Sequence, residues 1–546
     1  MELNISNIDI AVILLFVVGI IWWALKNKKN ENANDYFLAG KSQNWFVVGS
    51  SLFAASVSSS TLMGHSGEGF ISGIAVFNYN VGAIFVIIFV SLFFLPFYIK
   101  SGIYTIPEYL GRRFDNRSRK YFSFITIIGN VFLDAGAALY TGALILKIVF
   151  PGMDMMWIII GMALMAGTYT IIGGLSSAIN ADMIQSVILI AGSVLLSVFC
   201  FNSVGGWDNF ADRFHDGVWL NLIRPNTDTT VPWFSIFLSI PILGFYFWGN
   251  NQVMVQRVMS AKTVNEGRLG FLFVAFLYVF TLFIFITPGM VARMIDLFGV
   301  GDVLPNEIID GNTLRTQYGI DTNEVYPRLI LKLLPVGMIG VMIACMVSAL
   351  TSTLSATLNS VSTLFTMDFY KSWRPASSPR HLVRVGQWTS FIALVIAVAW
   401  APLIGKFASL VAYYQEFSSY LAPPIVGTFL IGLFWKGSTR NGAFAGLMSG
   451  LVMSALIMTY KFGFGGEVPF HFLLWVPILL VLSILVNVIV SKCDKTKQTD
   501  VESYTWNKSV WQDDTRELKT VPWYKNFRYI SIALIVIALL EYYCFF

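Results

Sequence analysis

Long apolar runs recur from one end of this chain to the other, with the polar positions gathered between them. A helix needs ~20 apolar residues to cross the hydrocarbon layer, and about fourteen stretches meet that need. The first runs from roughly Ile8 to Lys26. The others lie near 44–65, 72–98, 121–148, 155–175, 179–202, 233–251, 269–294, 336–370, 386–404, 407–435, 441–460, 470–491 and 527–546. The flank Met1 to Asp9 has no Lys or Arg and no small-residue cleavage site. The first run therefore reads as a retained helix, not a signal peptide.

Composition agrees with the pattern. Of 546 residues, 56% are hydrophobic and 12% charged, about half the charged share of a soluble domain. The expected fold class is an all-α polytopic membrane protein. Taking alternate loops as cytoplasmic groups Lys26, Lys28, Lys29 and Lys41 with Lys100, Arg112, Arg113, Arg117 and Arg119. Arg257, Lys262, Arg268, Lys371, Arg374, Lys436 and Arg440 join them, while Asp302, Glu307 and Asp310 fall on the opposite side. Bases collect on the cytoplasmic side, so the expectation is a multi-pass cell-membrane protein with both termini extracellular or periplasmic. The net charge of +5 is then topological and gives no reason to expect nucleic acid. No obligate protein partner is indicated; the partners implied are lipid and a small solute. Cys200, Cys345, Cys493 and Cys544 form no paired spacing, and His65, His215, His381 and His471 are scattered, so neither zinc nor a disulfide framework is expected.

Two of the runs contain helix-breaking chemistry. The stretch from Gly49 to Thr61 is dense in serine and other small residues, a poor lipid-facing surface and a poor continuous helix. Pro241-Ile242-Leu243-Gly244 is followed by Phe247-Trp248-Gly249-Asn250-Asn251-Gln252; proline removes a helical donor and glycine relaxes the backbone. The two runs are five helices apart, so each would open a five-helix unit, residues 44–203 and 233–435. Such inverted repeats place a transporter's site at interrupted helices near mid-membrane. Small residues would serve close helix packing equally well.

Hard oxygen donors suit a cation such as sodium. Freed backbone carbonyls at a break are one source. Ala349-Leu350-Thr351-Ser352-Thr353 is another, because hydroxyls three and four positions on lie over the Ala349 carbonyl. Charge within a span is costly and usually functional, which singles out Asp134, Asp182 and Glu416. Asp182 would serve equally as a helix cap or dipole partner. Gln415-Glu416, amid Tyr414 and Phe417, is an aromatic-polar cluster of the kind that lines a small-molecule pocket. No clustered nucleophile, base or metal set suggests an enzyme, and the segment 492–528 is short for a signalling domain.

These residues resemble the solute:sodium symporter family, and within it the sodium–sugar branch. The resemblance is carried by Asp35-Tyr36-Phe37-Leu38-Ala39-Gly40-Lys41, Gly102-Ile103-Tyr104-Thr105-Ile106-Pro107-Glu108, Gly173-Gly174-Leu175-Ser176 with Asp182, and Gln256-Arg257 with Ala261-Lys262. Leu358-Asn359-Ser360 with Phe365-Thr366-Met367-Asp368, and Gly432-Leu433-Phe434-Trp435-Lys436, complete it. It implies about fourteen helices with a leucine-transporter-like 5+5 inverted-repeat core. Residues 1–43 would then be an extra helix and loop, 204–232 an extracellular loop, and 436–546 C-terminal helices. It also implies a sodium-coupled importer working by alternating access, with Na+ as the co-transported ion and no organic cofactor.

Carried over by position, the sodium site falls on Ala54, Val57, Ala349, Ser352 and Thr353, with Asp182 on the exit route or at a second site. Substrate positions fall on Ser56, Thr61, Tyr79, Asn80, Asp134, Phe247, Trp248, Tyr278 and Gln415. Several depart from the branch's galactose-transporting pattern: Asn80 replaces glutamate, Thr61 glutamine, Gly244 asparagine, Tyr278 lysine, Phe247 tyrosine and Asp134 asparagine. A pocket that loses its hydroxyl-bonding partners loses discrimination. The implied solute is a different sugar, polyol or sugar-like acid; a carboxylate, amino acid or vitamin is the alternative, and a transporter-like sensor or channel a further one.

Overall fold

The computed structural model describes residues 6–26, 32–215, 217–226, 228, 230–300, 308–309, 311–405, 410–466, 470–496, 501–519 and 521–545. Lys28, Lys29, Asp302, Glu307 and Asp310 lie outside the described residues. Among the described residues eleven helices are long and apolar enough to cross a membrane. A twelfth crossing comes from Val264–Val279 with Leu282–Met294, bent by 51°.

Two of the long helices fold back on themselves. Met155–Ser203 spans 49 residues and contains Gly174 at φ 61°, ψ −154°; drawn straight it would reach ~74 Å. The Tyr169 hydroxyl donates to the Thr351 carbonyl at 3.2 Å, and the Gln185 amide donates to the Thr351 hydroxyl at 3.0 Å. A straight helix would hold two residues so spaced ~24 Å apart, so the chain reverses at Gly174. A second reversal sits at Gly73 (φ 72°), between Ser59–Ser72 and Asn78–Phe93: Thr61 and Ala83, one on each helix, line the same small cavity, which a straight helix could not allow. Trp45–Ser56, too short to cross by itself, continues into Ser59–Ser72. Taken so, the described residues make the fourteen crossings expected from the apolar runs.

Helix starts lie upstream of several apolar runs. Asp115 caps the Ser118 N–H at 2.9 Å, Thr263 caps Glu266 at 3.2 Å, and Ser378 caps His381 at 3.3 Å. Side-chain caps satisfy orphan N–H groups, so these helices begin in polar sequence at Asn116, Val264 and Pro379. The segment 492–528 also holds a helix, Lys508–Leu518, whose amphipathic pattern hydropathy alone does not reveal.

Buried polar groups fix the packing. Asp368 accepts from Thr105 at 2.8 Å, Ser123 at 2.5 Å and Arg119 at 2.6 Å. Gln256 reaches the Phe37 carbonyl at 2.6 Å and the Thr363 hydroxyl at 2.8 Å. Each bond joins segments far apart in the chain, and each is strong because water is excluded. Small residues bring helices into backbone contact: a methyl group on Gly289 would fall 1.8 Å from the Ser66 carbonyl oxygen, and one on Gly69 2.3 Å from that of Ile286.

Candidate substrate and cation site

The first break is built by serine. Trp45–Ser56 ends where Val57 leaves helical geometry (φ −100°, ψ 84°), its N–H still reaching the Phe53 carbonyl. Ser58 then caps a new helix, its hydroxyl accepting from the Thr61 N–H at 3.1 Å. The carbonyls of the last turn, Ala54's among them, lie past the end of the ladder. Both Ala54 and Val57 are buried.

The second break lies at the far end of the expected stretch. Pro241 occupies the first turn of Ile240–Phe245, where its missing N–H costs nothing, and Gly244 is helical against Val86. The helix instead widens into a π-turn at Tyr246–Asn250 and breaks at Asn251 (φ −71°, ψ 122°), whose side chain caps the Val253 N–H at 2.8 Å. The asparagine makes this interruption; a smaller one at Ser239 precedes Pro241.

Between the two breaks lies a cavity of about 210 Å³. Ser56, Thr61, Tyr79, Asn80, Asp134, Phe247, Trp248, Tyr278 and Gln415 all line it. Asp134 projects from a π-turn, Gly129–Ala135, a local bulge that re-aims side chains. It bonds the Tyr414 hydroxyl. Asn80 donates to the Thr281 hydroxyl at 2.7 Å, which commits its N–H side and leaves an acceptor. Trp248 packs edge-on against Tyr278 (5.6 Å) and Phe247 (5.2 Å), giving an aromatic wall. Tyr278 also bonds Ser56.

Other wall residues were not singled out as site residues from sequence: His65, Tyr246, Asn251, Ser418 and Thr357. His65 follows Thr61 by one helical turn, so the i, i+4 spacing could have found it. Tyr246 and Asn251 required knowledge of the π-turn. Glu416 is turned away from the cavity; it pairs with Lys461 and accepts from Tyr420 at 3.1 Å.

The oxygen-rich helix Met338–Leu364 passes the first break. Thr353 lines the cavity, and its hydroxyl donates to the Ala349 carbonyl at 3.0 Å. Ser352 points elsewhere, donating to Asp182 at 2.6 Å. The other Asp182 oxygen accepts from Ser51 at 2.6 Å and from Arg257 at 2.9 Å. Asp182 and Arg257 are both fully buried. Asp182 is thus neither a cap nor a dipole partner but the centre of a network joining four helical segments. Ser51 and Ser352 enter it from the elements that carry Ala54 and Ala349.

The sequence profile of the Sodium:solute symporter family matches residues 36–450. Relatives include "Solute carrier family 5 member 4" of Rattus norvegicus, 32% identical over 90% of this chain and 79% of its own. "Sodium/glucose cotransporter" of Vibrio parahaemolyticus is 32% identical over 82% of this chain and 85% of its own. "Sodium/myo-inositol cotransporter" of Canis lupus familiaris is 31% identical over 85% and 68%. Among solved structures, a Na+-coupled sialic acid symporter in a substrate-bound outward-open state superposes with a TM-score of 0.76 at 22% identity, covering 91% of this chain and all of that one. That likeness shows a shared fold, the leucine-transporter-like one. The chain belongs to the sodium:solute symporter family: it is a multi-pass membrane transporter, not an enzyme, and it moves a solute with sodium as co-substrate.

Proposed function

We propose that the solute is a small sugar or sugar-like polyhydroxy molecule held by Ser56, Thr61, Tyr79, Asn80, Asp134, Phe247, Trp248, Tyr278 and Gln415. One observation carries the reading: the cavity mixes aromatic faces with hydroxyl and amide groups, and no lysine or arginine lines it among the described residues. Aromatic faces stack on the apolar side of a sugar ring while the polar groups take its hydroxyls. A carboxylate would find no cation there, which weighs against the carboxylate, amino acid and vitamin alternatives. Relatives named for glucose and myo-inositol support the same class.

Sodium is proposed to bind the carbonyls of Ala54, Val57 and Ala349 and the hydroxyls of Ser352 and Thr353, with Asp182 on its way out. The repeats are proposed to be residues 44–203 and 233–435, in a cell membrane with both termini outside. Sodium bound at the first break would hold the outward-open state and complete the cavity. Coupling follows because only differential affinity shifts a conformational equilibrium. At ~100 mV each inward charge supplies about 2.3 kcal/mol. In proteoliposomes, Ser352→Ala combined with Thr353→Ala is expected to abolish sodium-driven uptake of a labelled sugar that the parent accumulates. Unchanged uptake would sink the cation assignment.

A further inference from the structure

Three acids in the membrane-spanning part of this protein are paired with bases. Asp182 holds Arg257, Asp368 holds Arg119, and Glu416 holds Lys461. Asp134 differs. Its recorded partner is the neutral Tyr414 hydroxyl, and it has no ion pair among the described residues. It is also the sole Asp, Glu, Lys or Arg on the wall of the cavity among those residues. An unpaired carboxylate in a low-dielectric site is costly, and it takes up either a proton or a countercharge.

A second feature of the same cavity points to what supplies that charge. Tyr79, Tyr246, Phe247, Trp248, Tyr278 and Tyr414 all line it, and aromatic faces attract cations. A carboxylate inside an aromatic enclosure is the chemistry that recognises an ammonium group. Sodium, by contrast, wants several oxygens converging at about 2.4 Å, and the aromatic faces offer few.

We propose that Asp134 selects solutes carrying a protonated amine on a polyhydroxy frame, an amino sugar or amino polyol, with the ammonium on Asp134 and the hydroxyls on Gln415 and Asn80. This rests on the sugar reading above and narrows it. A uronate is repelled by Asp134, and an amino acid leaves its carboxylate without a partner.

The test is a thermal-shift and uptake panel of glucose, 2-amino-2-deoxyglucose and glucuronate, each with sodium. It is run at about pH 6.5, where an amine of pKa ~7.7–8.0 carries its proton. The parent protein is expected to bind the amino sugar at least tenfold tighter than glucose and to ignore glucuronate. Asp134→Asn should erase or reverse that preference, and Asp134→Glu should retain part of it. Both variants should keep the parent's sodium-induced thermal shift, which shows that they fold. A parent that prefers glucose or glucuronate overturns the proposal while leaving the sugar reading standing. Failure of all three compounds overturns both. If Asp134→Asn weakens sodium binding alone and leaves the solute preference unmoved, Asp134 is a cation site and the amine assignment is overturned.

Discussion

Asp182 and Arg257 are sealed from solvent and 75 residues apart in the chain, and each would be costly alone in a low-dielectric interior. Removing one partner of a buried pair typically costs ~3–5 kcal/mol, because the other is left uncompensated. Arg257→Ala alone is therefore expected to lower stability by about that amount, read as the unfolding midpoint of the purified protein. Adding Asp182→Asn should restore much of the loss; strictly additive losses would contradict the pairing. Asp182 stood out in the sequence because an acid in an apolar run is conspicuous. Its partner did not, since Arg257 reads as one more base at the end of a span.

At the scale of the element, reversals and breaks are set by single residues. Gly174 holds a backbone geometry open essentially to glycine, and a methyl group there would lie 2.6 Å from the Tyr36 ring and carbonyl. Gly161, in the same helix, meets nothing within 4 Å. Gly174→Ala is expected to cost roughly 1–3 kcal/mol in backbone strain, with ~1–3 kcal/mol more from overpacking. Gly161→Ala should be neutral or stabilising by ~0.5–1 kcal/mol. Equal melting temperatures for the two variants would refute the reversal at Gly174. The sequence reading separated the spans 155–175 and 179–202 correctly, because a single apolar run cannot fill twice the membrane thickness. It bounded the second break to residues 241–252 without fixing the residue, because proline in a first helical turn looks the same in sequence as proline in a helix interior.

For the whole molecule, the cysteines report on orientation. Cys493 and Cys544 are exposed at the ends of Phe472–Cys493 and Phe527–Cys544, while Cys200 and Cys345 are buried. With both termini outside, a membrane-impermeant maleimide added to intact cells is expected to label Cys544 and spare Cys493. Labelling Cys493 alone would invert the topology. The base-rich side is further tied together by Arg268, which pairs with Asp514 at 2.6 Å and lies 4.1 Å from the Phe527 ring centre. That contact joins Lys508–Leu518 to two crossings.

Hydrophobic periodicity by itself determined that the chain is helical and crosses the membrane about fourteen times, because burying a backbone in lipid leaves few alternatives. Serine density marked the first break, since hydroxyls compete locally for backbone groups. Tertiary structure alone decided which oxygens meet which charges. Ser352 and Thr353 are neighbours in sequence, yet one faces Asp182 and the other the cavity. Asp182 and Asp134 look alike in sequence, yet one is paired with an arginine and the other meets the Tyr414 hydroxyl on the cavity wall. Those outcomes depend on contacts between helices distant in the chain, and no local pattern encodes them.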